Sequence, residues 1–69
     1  MNWQLLKGTV YLKGMTMQQM AQKTGIVYST LMRQCKSGTL TIGNVKKIRE
    51  CLDLTSQETN AIFFGEELA

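Results

Sequence analysis

Between residues 14 and 55 this proline-free chain is punctuated at short intervals by glycine and by threonine at helix-starting positions: Gly14, Thr16, Gly25, Gly38, Thr41 and Thr55. Threonine before an apolar-periodic stretch satisfies free N–H groups at a helix start, and glycine just past the stretch adopts the left-handed conformation that ends one. No alternation of polar and apolar residues runs long enough for a half-buried strand. The punctuation therefore predicts an all-α chain, a compact bundle of five short helices. A first helix covers 3–13, with Leu6 and Val10 inward and Trp3 and Lys13 extending the row. Gly8 inside it costs roughly 1 kcal/mol relative to alanine. The second covers 17–24, with Met17, Met20, Ala21 and Thr24 on one face, and Gly25 makes the turn. The third, about 27–36, has Leu31 and Cys35 inward and is closed by Ser37 and Gly38. The fourth, 42–52, starts at Thr41 and reads as a buried stripe of Ile42, Val45, Ile48 and Cys51 or Leu52. Asp53 ends it in place of glycine and Leu54 folds back. Thr55 with Glu58 three residues later writes a capping box for the fifth, 56–64.

A chain of 69 residues is expected to be a single domain, because it buries only about 60% of its unfolded surface. With 43% hydrophobic and 19% charged residues its composition is globular. No apolar run reaches the roughly 18–20 residues of a membrane span, and no signal-peptide core is expected at the start. Cys35 and Cys51 are not a CxxC pair, and without histidine they cannot complete a four-ligand zinc site. They read as small core hydrophobes in a reducing cytoplasm. Met15, Met17, Met20 and Met32 read as core or loop cover. Catalysis is not expected: there is no histidine base, Ser29, Ser37 and Ser56 lack a basic partner in the pattern, and no phosphate-cradling glycine loop is present. Glu66 and Glu67 lie where a general acid or base is hard to position. No cofactor, metal or small-molecule ligand is implied.

Charge is sharply divided. All eight cations (Lys7, Lys13, Lys23, Arg33, Lys36, Lys46, Lys47, Arg49) fall within residues 1–49, and all five acids (Glu50, Asp53, Glu58, Glu66, Glu67) within 50–69. The modest net charge of +3 therefore hides a basic segment suited to polyanions and an acidic end that should face away from them.

The stretch 15–38, MTMQQMAQKTGIVYSTLMRQCKSG, resembles the helix-turn-helix of the Cro/repressor (XRE, lambda repressor-like) family of phage and bacterial regulators. Thr16 matches the helix cap, Met20-Ala21 the first motif helix, Gly25-Ile26 the turn and Leu31 the inward position of the second. The segment 41–55, TIGNVKKIRECLDLT, looks like the family's fourth helix and its exit, so the resemblance spans about residues 5–64. Physically, Ala21 permits a steep helix crossing, Gly25 the tight corner, and Ile26 and Leu31 anchor the next helix with its outer face projecting. The departures are specific. Met17 stands where the family commonly has a DNA-touching glutamine. Val10 and Cys35 replace a frequent Arg–Glu pair with packing. Gln34 occupies an apolar position, and Gly38 comes one residue late.

The resemblance implies a sequence-specific double-stranded DNA-binding regulator of transcription, a repressor similar to small Cro-like proteins, acting by operator occupancy with its third helix in the major groove. Base contacts would fall to Tyr28, Ser29, Met32 and Arg33, with Arg33 suited to bidentate bonding of guanine. Phosphate contacts would come from the helix start at Thr16 and Met17, from Lys36, Ser37, Thr39, Thr41 and Asn44, and at longer range from Lys46 and Lys47. The implied partner is a palindromic operator bound by a homodimer. The apolar run Ala61-Ile62-Phe63-Phe64-Gly65 would partly cover the core, beside Trp3, and its surplus at Ile62, Phe63 and Phe64 would form the twofold contact. A rival from another class is a protein-interaction module on the same scaffold, an antirepressor or antitoxin.

Overall fold

A computed structural model describes residues 1–64 of the chain. The chain forms five helices: α1 (Trp3–Leu12), α2 (Met17–Thr24), α3 (Tyr28–Ser37), α4 (Ile42–Leu52) and α5 (Ser56–Phe63), with no strand among the described residues. The starts follow from local chemistry. Thr16 and Gln19 form a reciprocal capping box, with each side chain accepting the other's backbone N–H at 3.1 and 2.9 Å. Thr41 Oγ1 accepts the Asn44 N–H at 3.1 Å. Thr55 and Glu58 repeat the capping box at 3.0 and 2.9 Å. Each such cap contributes on the order of 1 kcal/mol. Asn2 caps α1 in the same way, its Oδ1 accepting the Leu5 N–H at 2.9 Å.

The ends follow equally. Gly25 (φ +77°) and Gly38 (φ +74°) adopt the left-handed conformation after α2 and α3. The Gly38 and Thr39 N–H groups both donate back to the Gln34 carbonyl. Asp53 holds the same region at φ +53° and is the one non-glycine residue there among those described. The helices differ from the expected spans by a residue: α1 stops at Leu12, α3 runs from Tyr28 to Ser37, and α5 stops at Phe63.

Leu6, Val10, Met20, Leu31, Cys35, Ile48, Leu52 and Ile62 are nearly inaccessible to solvent and form one core. Met20 and Ala21 place α2 at its centre, packed against α1, α3 and α4, while α1 also packs on α5. The Asn2 N–H donates to the Ile62 carbonyl at 2.7 Å, and Lys13 pairs with Glu58 at 3.8 Å, so the basic and acidic parts of the chain meet along α1 and α5. Every buried side-chain polar atom among the described residues has a hydrogen-bond partner.

Two expectations need correction. Ile42 does not join the buried stripe and is 67% exposed. Each three-residue step falls about 60° short of a full turn, so two steps before Ile48 carry Ile42 about 120° away from the core. Val45 and Cys51 are half-buried at the edges of the stripe, and Ile48 and Leu52 are its centre. The second correction concerns the apolar end of the chain: Ile62 and Phe63 are core residues, 1% and 8% exposed, and cannot also supply a twofold contact. Of the three expected contact residues, only Phe64, 56% exposed, remains outside. Gly65 and the Glu66-Glu67 acids lie outside the described residues.

Candidate nucleic-acid interface

The candidate surface is the outer face of α3. Leu31 and Cys35 point into the core, so the helical period turns Ser29, Arg33 and Lys36 outward as one strip, while Tyr28, three residues before Leu31, stands on the α2 side and is exposed because it opens the helix. All four are exposed, and Met32 lies half-buried at the strip's edge. The strip carries two cations, and neither α2 nor α3 contains an acid. Val27 opens α3 without a side-chain cap and is itself 68% exposed. The anchors beneath are apolar and well packed, which gives the outward side chains a rigid base.

Flanking groups divide into those free to meet a ligand and those already engaged. At the start of α2 the capping box uses the Thr16 and Gln19 N–H groups and leaves those of Met17 and Gln18 without an intrahelical partner. The Met17 side chain packs against the core, so its outward contribution is backbone alone. Lys36 and Lys46 are exposed. Ser37 Oγ donates to the Arg33 carbonyl at 2.9 Å and shares a 2.7 Å hydrogen bond with Thr39 Oγ1, so both hydroxyls help close α3. Thr41 is occupied in capping α4.

Asn44 is the clearest departure from expectation. Its Nδ2 donates to Gln34 Oε1 at 3.0 Å in a half-buried link between α3 and α4. The amide placed among the phosphate contacts thus holds the two helices together. It also explains why Gln34 stands at a position where an apolar residue was expected. Lys47 shares a hollow of about 390 Å³ with Lys23, Thr24, Glu50 and Cys51 on the α2–α4 side, where Glu50 offsets part of the positive field.

Two residues without an expected role join the surface. Gln18 and Gln22 line a hollow of about 370 Å³ together with Ala21, Ile26 and Tyr28, which sets two exposed amides beside the start of α3. Their signal in the sequence was the i, i+4 spacing opposite Met20, followed by the Gly25 turn that brings Tyr28 back alongside.

The cysteines stand apart from this surface. Cys35 is 1% exposed, and burial pushes its thiol from the ordinary 9.0 up to about 11, which keeps it protonated and unreactive. Cys51 is half-buried, with its sulfur 4.0 Å from that of Met15. Among the described residues no helix is long and apolar enough to cross a membrane, and no three His, Cys, Asp or Glu side chains gather as a metal would require. In comparisons with protein-family models, curated proteins and solved structures, the chain matches none.

Proposed function

We propose that the chain is a sequence-specific DNA-binding regulator of transcription, built on a helix-turn-helix of α2 and α3 similar to that of Cro-like repressors. The observation that carries this reading is the outer strip of α3: Ser29, Arg33 and Lys36 exposed opposite the buried Leu31 and Cys35, with Tyr28 exposed at the helix start, within a segment free of acids. Arg33 reads guanine through its paired N–H donors, and Met32 packs on a thymine methyl. Tyr28 and Ser29 bond to base edges or phosphates. Lys36 and the open N–H groups of Met17 and Gln18 hold phosphates. The mechanism is occupancy of an operator by a pair of copies on two half-sites about one helical turn apart, in the cytoplasm and without a cofactor.

Selection of bound duplexes from a random pool at moderate salt tests this directly. Enrichment of a palindrome supports it, and an unenriched pool rejects it.

A second reading, a protein-interaction module, is favoured by the apolar exposure of Val27 and Tyr28 beside the same strip, 68% and 42%. Salt separates the two. Duplex binding falls with a log–log slope of about −0.9 per phosphate neutralised, and an apolar protein contact does not.

A further inference from the structure

Helix α1 is apolar on two sides, and only one of them is used by the core. Leu6 and Val10 are buried, but Leu5, Tyr11 and Leu12 are 39%, 80% and 85% exposed. At about 100° per residue, Leu5, Gly8 and Leu12 share one narrow outward strip, with Gln4 and Tyr11 beside it. A helix apolar on opposite faces is normally covered on both.

Gly8 adds an independent observation. A Cβ built there meets nothing within 4 Å, so no contact inside the chain requires a glycine that weakens the helix. Next to the strip, α1 and α5 leave a groove of about 270 Å³ lined by Leu5, Thr9, Gln57, Glu58, Ala61 and Ile62.

We propose that this face is the homodimer contact: a second copy packs antiparallel, α1 on α1 across a twofold axis, crossing beside Gly8. The occupant follows from self-complementarity. With the twofold axis between Gly8 and Thr9, where the absent Gly8 side chain lets the helices approach, opposing positions sum to 17. Each Leu12 therefore meets Leu5 of the other copy, the wall of the groove, so knob and hole lie on one patch as a closed twofold requires.

The charges also suit a copy of the same chain. The strip itself has none, so nothing charged is buried unpaired. Lys13 at its flank is already turned to Glu58 at 3.8 Å, and Lys7 lies over the Trp3 ring at 5.2 Å. A ten-residue helix is only about 15 Å long, which limits the contact to the weak class below about 1,200 Å² in total. The chief neighbour of α3 is α2, so pairing through α1 leaves the α3 strip open. The pairing rests on the DNA-binding reading only for its purpose, two copies of α3 on two half-sites.

Sedimentation equilibrium of the full chain without DNA, from roughly 10 μM to 1 mM, tests it over the range where so small an interface dissociates. Wild-type chain should pass from monomer to dimer. Leu12→Glu should weaken the dimer at least about tenfold with an unchanged circular dichroism spectrum. Gly8→Ala should raise the Tm of the monomer by a few degrees and yet weaken the dimer, because its methyl separates the crossing helices. Wild-type chain that stays monomeric, or either variant pairing as tightly as wild type, overturns the proposal. Because no duplex is present, its failure is separate from that of the duplex selection.

Discussion

Asn44 donates its side-chain N–H to Gln34 Oε1 at 3.0 Å, across ten residues of sequence and between two helices. A half-buried amide pair of this kind contributes on the order of 1 kcal/mol, and more is lost when one partner is left unpaired. Gln34→Ala and Asn44→Ala should each lower stability by about 1 kcal/mol, with a coupling of about 0.5–1 kcal/mol in the double variant. Urea denaturation of the four chains measures it. Strictly additive effects, with duplex affinity lost only in the Asn44 variants, would return Asn44 to the phosphate contacts.

On α3, Arg33 and Lys36 are both exposed cations but have different assigned partners. Arg33→Ala should cost about 1–3 kcal/mol on the preferred duplex and little on random sequence. Lys36→Ala should weaken both alike and reduce the salt slope by about one. Titrating each variant against the selected and a scrambled duplex distinguishes them. Equal losses for Arg33→Ala on the two would sink its reading role.

The buried Cys35 thiol ties stability to alkaline pH. Its value is raised from 9.0 to about 11 in the folded chain, so the folded state holds the proton more tightly than the unfolded one. The associated stability is complete below pH 9.0 and is lost as pH rises toward about 11, amounting to about 2 kcal/mol at the upper end. Urea midpoints across this window should fall more steeply for wild type than for Cys35→Ala. Parallel curves would show that the thiol titrates alike in both states.

Asp53 occupies the left-handed region at φ +53°, where a side chain is disfavoured. Asp53→Gly should therefore stabilise the fold by about 0.5–1 kcal/mol. At Gly25, φ +77°, alanine should destabilise by about 1 kcal/mol or more, although its Cβ has open space. Thermal melts of the two variants should move in opposite directions.

What was legible in the sequence was whatever acts within one turn. Thr16, Thr41 and the Thr55–Glu58 pair bond to neighbours three residues away, so their spacing alone identifies them. Asn2 gives the same signal and was equally readable, though it was not among the expected caps. Ile42 misled because apolar residues at three-residue steps look continuous while the helix rotates them off the core. Ile62 and Phe63 were ambiguous for another reason: an apolar run on a short helix reads the same whether it faces a core or a partner. The Gln34–Asn44 link depends on how α3 and α4 are angled, which no local pattern carries. On the candidate surface, Ser29, Arg33 and Lys36 were legible from their period, whereas Tyr28, whose spacing from Leu31 and Cys35 reads inward, and the neighbouring Gln18 and Gln22 follow only from the turn that returns the chain.

The central place of α2 has a mechanical consequence. Because α1, α3 and α4 all pack on it, and Met20 at its centre has no exposure, α3 takes its aim chiefly from α2, with the Gln34–Asn44 link to α4 beside it. Opening α2 strips α3 of its backing, so amide protons of Leu31 and Cys35 should exchange with solvent no more slowly than those of Met20 and Ala21. The outward strip then has no folded state apart from α2: when the scaffold opens, the surface it displays is lost with it.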